Sequence, residues 1–236
     1  MINEATSESL FRQAVADGIQ AARRNRFAGI ALWIFGCAII TGYYFVPAFR
    51  ELLEQVAEWK IRWGFLFSAI STALFGGLIP ALIQMLVKRT QSGDQPHYVL
   101  SDTLFWAVKG IEIDLLYRLQ AMLFGEGSTW HTVAIKTTVD QFLYVPAFGL
   151  VNVILFYLWR ESRYDCGLLR RELGPRWYRQ RVLPVLIANW TIWIPAVVLI
   201  YCFPLALQLP VQNLILCFWI LMLKFLTSKT EIKTGS

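Results

Sequence analysis

The chain has 236 residues, of which 56% are apolar and only 16% charged, with a formal net charge of +6 at pH 7. A soluble domain carries roughly 25% charged residues, so an ordinary water-soluble protein is excluded and a polytopic membrane protein is the class that remains. The basic residues cluster in short polar segments and no nucleic-acid-binding motif is present, so nucleic acid is not an expected partner and the excess reads as a topology signal.

Residues 1–26 are polar, end in Arg23, Arg24 and Arg26, and lack the pattern of a cleavable signal peptide. Leu10, Phe11, Val15 and Ile19 recur at near-helical spacing, which predicts an interfacial amphipathic helix over 8–24. Residues 27–46 carry no charge and have the length a membrane helix needs. The mixed-charge stretch 47–62 (Arg50, Glu51, Glu54, Glu58, Lys60) reads as a surface helix. Residues 63–87 form a second uncharged span, in which Ser68, Thr72, Gly76 and Pro80 recur every four residues. Such a row of small residues lets helices approach closely, and Gly76 and Gly77 are packing candidates. A homo-oligomer built through this face is left open. Residues 88–100 are a polar loop, and Gln84 just before it is expected to bond another helix.

The third span, 101–124, is interrupted by Lys109, Glu112, Asp114 and Arg118. Lys109 and Glu112 are spaced to pair on one face, Asp114 and Arg118 on nearly the opposite one. A helix charged on two faces is expected at the centre of a bundle, where it lines a hydrophilic path or pairs its charges internally with no path; a re-entrant or surface-lying helix is the rival to a full crossing.

The fourth span, 131–158, contains KTTVDQFLYVP at 136–146. Lysine, aspartate and glutamine are costly in hydrocarbon and persist there when they pair, face protein or line water. At about 100° per residue, Lys136, Thr137, Asp140, Gln141, Tyr144 and Asn152 share less than half of the helix circumference, while Phe142, Leu143, Ile154 and Leu155 point elsewhere. The stripe reads as a pore-lining or gating face, or as an ion pair that locks the helix to its neighbours, or as a Lys136 that snorkels to the interface. The spacing of Lys136 and Asp140 allows a direct pair, and Pro146 removes a backbone hydrogen bond and can kink the helix inside the stripe.

The following loop holds seven arginines between Arg160 and Arg181. Of these, Arg163, Arg170, Arg171, Arg176, Arg179 and Arg181 are candidates for anionic lipid headgroups. Residues 182–223 contain no charge and are twice too long for one crossing of a core about 30 Å thick. Pro204 and Pro210 mark the break between spans near 183–203 and 210–227, followed by a tail over 229–236. Asn189, Trp190 and Trp193 suggest an anchor at the headgroup level.

Six spans with both termini in the cytoplasm place fifteen Lys and Arg inside, against Arg50, Lys60 and Arg62 outside. Without 101–124 as a span the arginine loop would move outside, against the positive-inside rule. The expected fold is therefore an all-α, polytopic transmembrane helix bundle of about six membrane helices. Cys37, Cys166, Cys202 and Cys217 show no CxxC spacing, and His97 and His131 stand alone. No metal, no cofactor and no enzymatic activity are expected. Internal repeats are not evident.

The block Lys136, Asp140, Gln141, Pro146 resembles the K-x-x-x-D-Q-x-x-x-x-P block of the Mpv-seventeen / twenty-two-kilodalton peroxisomal membrane protein family. Asn189, Trp190, Trp193, Pro195, Tyr201, Phe203 and Pro204 resemble its downstream aromatic-proline element, and Gly110, Asp114 and Tyr117 an earlier helix. The likeness covers roughly 58–228. The chain departs from the family where Gly76 and Gly77 lack an acidic neighbour, where Trp219 is followed by Ile220, and in its extra N-terminal span. The resemblance implies a distant, bacterial branch residing in the cytoplasmic membrane, or in mitochondrial or peroxisomal membranes if eukaryotic. It also implies a helical, non-enzymatic protein of channel-like permeability, whose partners are the bilayer and a small polar solute or ion. On this reading a path runs between spans three and four. A membrane scaffold with no path, its arginine loop binding lipid or a partner protein, is the alternative.

Overall fold

The structure, a computed structural model, describes residues 2–87 and 96–234. All elements among these residues are helical, and none is a strand. In chain order they are α1 (Ile2–Arg24), α2 (Arg26–Phe45), α3 (Pro47–Trp63), α4 (65–87), α5 (Pro96–Phe124), α6 (Trp130–Glu161), α7 (Cys166–Glu172), α8 (Tyr178–Tyr201) and α9 (Leu205–Thr234). Of the polar loop expected over 88–100, residues 96–100 are instead the start of α5, and 88–95 and the side chain of Gln84 lie outside what is described.

Local chemistry explains the joints. Pro47 opens α3 and holds Val46 in an extended conformation (φ −115°, ψ 103°), as a residue before proline must be. α3 ends at Gly64, whose φ of +53° suits glycine and whose amide returns to the Lys60 carbonyl. The Asp165 carboxylate caps α7 by accepting from the amides of Gly167 (2.6 Å) and Leu168 (3.1 Å). Before α9 the chain breaks at 202–204 alone. Pro204 precedes the helix and Pro210 lies inside it, so the last span begins five residues earlier than the 210 expected and the helix continues to Thr234. Proline within a membrane-type helix is tolerated because neighbouring groups satisfy the freed carbonyl.

Five helices are long and apolar enough to cross a membrane: Arg26–Phe45, Phe65–Ile83, Trp130–Glu161, Tyr178–Tyr201 and Leu205–Met222. α5 has 29 residues, about 43 Å at 1.5 Å per residue, and fails that test because of its charges. Their placement changes their meaning. Lys109, Asp114, Tyr117 and Gln120 are buried, whereas Leu100, Leu104, Val108, Ile111, Leu115, Leu119 and Met122 form one stripe along the helix and are 40–76% exposed. The expected central position is therefore overturned. α5 buries Lys109, Asp114 and Gln120 and turns a continuous apolar face outward, the reverse of a water-soluble helix, while Arg118 stays partly exposed.

The chain divides into two compact units. Unit 1 comprises Met1–Gly29 and Thr137–Pro195; unit 2 comprises Ile30–Lys136 and Ala196–Ser236. In unit 1, α1 meets α8 through its small residues: Ala14 is buried, and a Cβ on Gly18 would lie 2.7 Å from the Cβ of Ile187. Phe11 and Ile19 stay exposed, off the face that packs, and Val15 is half-buried, while the side chain of Leu10 lies outside what is described. In unit 2, α4 lies against α5 at backbone distance. A Cβ on Gly110 would be 2.2 Å from the Ser68 carbonyl oxygen, one on Gly77 2.9 Å from Thr103 Cα, and one on Gly76 2.8 Å from the Trp106 indole. The small-residue row of the second span thus packs helices, as its spacing indicates.

Candidate functional site

Unit 2 contains two groups of buried polar side chains. The first surrounds Asp114. Its Oδ2 accepts from Lys60 Nζ at 2.7 Å and from Ser68 Oγ at 2.8 Å, and its Oδ1 from Arg118 Nε at 3.3 Å. Lys60 and Asp114 are each 3% exposed. Three donors on one carboxylate satisfy a charge that burial would otherwise make costly. Burial pulls the Lys60 ammonium below the ordinary lysine value, and the hydrogen bond and charge of Asp114 oppose it. The Arg118 guanidinium reaches the outside of α5 and lies over the Phe65 ring, 4.9 Å from its centroid. The expected Asp114–Arg118 pair is present, but the stronger contact comes from α3, whose mixed-charge sequence reads as solvated surface. Nearby, Lys109 pairs with Glu112 at 2.8 Å as spaced, and Thr72 and Ser71 of α4 bond to Asn213 of α9 at 3.0 Å each.

The second group centres on Tyr201. Gln120 Nε2 donates to its hydroxyl at 2.6 Å, Tyr117 meets its ring edge-on at 5.4 Å, and the Tyr117 hydroxyl donates to Gln212. Lys136 lies over the Tyr201 ring with Nζ 5.8 Å from the centroid. It is 1% exposed, and its Nζ has no hydrogen-bond partner. The pair with Asp140 that the spacing allows is therefore not made as a hydrogen bond. Residues Trp130–Val139 are α-helical and α6 widens to a π-helix only from Asp140 to Gly149, so the spacing is intact and it is the Tyr201 ring that takes the lysine side chain. Gln120 Oε1 and Gln208 Oε1 are likewise buried without partners. Gln120, Gln208, Gln212 and Asn213 were missed in the sequence. A helical wheel over 205–222 would have shown Gln208 and Gln212 one turn apart in an uncharged span.

Unit 1 holds the rest of the α6 stripe. Thr137, Asp140 and Gln141 are buried and Phe142 and Leu143 exposed, so this part of the stripe faces inward, whereas Tyr144, Asn152, Ile154 and Leu155 are all half-buried and show no such contrast. Gln141 Nε2 donates to Asp140 Oδ1 at 2.9 Å. In a π-turn the Gln141 carbonyl would accept from the amide five residues on, which is Pro146 and has no N–H. Trp190 Nε1 donates to that carbonyl instead, at 2.7 Å. The spacing of Gln141 and Pro146 therefore matches a π-turn closed by an indole. The Pro146 carbonyl in turn accepts from the Tyr178 hydroxyl at 2.8 Å. The other π-helical stretches, Ala73–Leu78 and Tyr178–Val182, end two residues before Pro80 and Pro184. Widening moves the carbonyl that a proline ring would strike. Pro195 lies within an α-helical stretch. Asn189 and Trp193 are half-buried, and Trp190 is the member of the expected anchor whose side chain makes the bond described.

Arg163, Arg170, Arg171, Arg176, Arg179 and Arg181 are all exposed. Arg181 pairs with Glu172 at 2.7 Å on the surface, an arrangement of small energetic weight. Among the described residues, no three His, Cys, Asp or Glu gather in a metal-binding group. No protein-family model matches the chain, and neither a curated protein nor a solved structure does.

Proposed function

We propose that this chain is a six-span integral membrane protein with both termini in the cytoplasm, and that it acts as a non-enzymatic channel or passive carrier for small polar solutes or ions. Kinship to the Mpv-seventeen / twenty-two-kilodalton peroxisomal membrane protein family, as a bacterial branch in the cytoplasmic membrane, is part of the proposal and rests on Lys136, Asp140, Gln141 and Pro146. The inward charges and outward apolar stripe of α5 support a sixth crossing, and the positive-inside count supports the orientation. The observation that carries the transport reading is Lys136, a buried cation whose Nζ lacks a hydrogen-bond partner, at the start of an inward polar stripe. A purely structural charge is expected to be paired, as Asp114 is. The residues of α6 proposed to carry the transport are Lys136 in unit 2 and Asp140 and Gln141 in unit 1.

Flux through the purified protein in liposomes, wild type beside Asp140→Asn, tests this. The expected result is solute or ion flux that the substitution alters. A scaffold without a path is the second reading, favoured by the full satisfaction of Asp114 and by the exposed arginines, which suit anionic headgroups. It expects no flux from either protein and an Asp140→Asn variant that is only less stable.

A further inference from the structure

The geometry points to a small-anion site in unit 2 at Lys136, selecting a halide or a small carboxylate; its place in a path rests on the transport reading above, while its binding does not. Lys136 Nζ is enclosed and has no hydrogen-bond partner. Among the described residues no carboxylate lies within ion-pair distance of it. Glu126, the nearest acidic residue in sequence on its N-terminal side, is exposed in the turn before α6. The Tyr201 ring face, at 5.8 Å, offers a weak cation-π contact in place of a counter-ion. The ammonium therefore has donors to spare in a low-dielectric setting, where an isolated charge is strongly disfavoured.

A second donor stands against the same tyrosine. Gln120 is 1% exposed, and its Nε2 donates to the Tyr201 hydroxyl while its Oε1 is unpartnered. Turning the amide over keeps its shape. Oε1 then accepts from the Tyr201 hydroxyl and Nε2 is released as a donor. Lys136 and Gln120 so supply N–H groups of the kind that replace the hydration shell of an anion, and Lys or Arg in a pore selects anions. Asp114, the one buried carboxylate among the described residues of unit 2, is occupied by three donors of its own and leaves Lys136 uncompensated.

The test uses the full chain, reconstituted in liposomes under a potassium chloride gradient, comparing wild type with Lys136→Met and Lys136→Arg. The wild-type reversal potential is expected on the chloride side. Lys136→Met should shift it toward potassium, and Lys136→Arg should not. A reversal potential that Lys136→Met leaves unchanged overturns the anion site and spares transport. If no protein conducts, the transport reading fails, and thermal unfolding in detergent decides the site: chloride or acetate, exchanged for gluconate at constant ionic strength, should raise the wild-type midpoint and leave that of Lys136→Met unmoved. An equal response in both proteins overturns the site.

Discussion

Asp114 and Lys136 are both buried charges of unit 2, and their surroundings are opposite. Asp114 receives a lysine, a serine and an arginine from three helices. Lys136 has an aromatic face and no hydrogen bond from its Nζ. A charge that is fully met holds helices together, and removing it leaves its partners stranded. A charge that is not met destabilises the fold that contains it, so it persists for a reason other than stability. The same sequence signal, an ionisable residue in an apolar span, thus has two physical meanings, and only the surrounding side chains distinguish them.

The largest expected effect is at Asp114. Asp114→Ala leaves Lys60 charged, buried and unpaired, and should cost about 3–5 kcal/mol, measured as denaturant or thermal unfolding in detergent; an unchanged midpoint would break the contrast with Lys136. Next, Gly110→Ala places a methyl group 2.2 Å from the Ser68 carbonyl, beside the same network. Overpacking of this kind costs about 1–3 kcal/mol, and a wild-type midpoint would show that α4 and α5 are not in contact there. Replacing Lys60 by Met together with Asp114 by Leu should be far milder than Asp114→Ala alone, because no buried charge is orphaned. A double variant as unstable as the single one would locate the stabilisation outside the pair.

In unit 1, Trp190→Phe removes the indole donor from the Gln141 carbonyl and should cost about 1 kcal/mol, read from the same unfolding curves. The smallest effect is expected at Lys136. Lys136→Met should leave the unfolding midpoint level or higher, and a large loss would mean that Lys136 has a stabilising role like that of Asp114.

Much of this was legible in the chain. Hydropathy and length are local properties, so α2, α4, α6 and α8 match the predicted spans to within a few residues at most ends. The small-residue row of α4 and the inward stripe of α6 also follow from spacing. Misreadings arose where a local rule met a partner from elsewhere. Lys60 looked solvated beside Glu54 and Glu58, yet it turns inward to Asp114. The wheel of α6 separates buried Asp140 and Gln141 from exposed Phe142 and Leu143, yet it could not show that Lys136 lies over the Tyr201 ring and makes no hydrogen-bonded pair with Asp140. α5 looked charged on two faces and so unable to face lipid, yet the row from Leu100 to Met122 forms an exposed apolar stripe beside them, which the pairing of the charges alone does not reveal.

The sequence by itself determined the helical class of the described residues and placed the apolar runs of the five helices that are long enough to cross a membrane, with 101–124 expected as a sixth, because apolar runs and helical periodicity are written along the backbone. Only the tertiary structure decided which buried charges are satisfied. That depends on donors contributed by helices distant in sequence, such as Lys60 for Asp114, and no spacing within one helix specifies it.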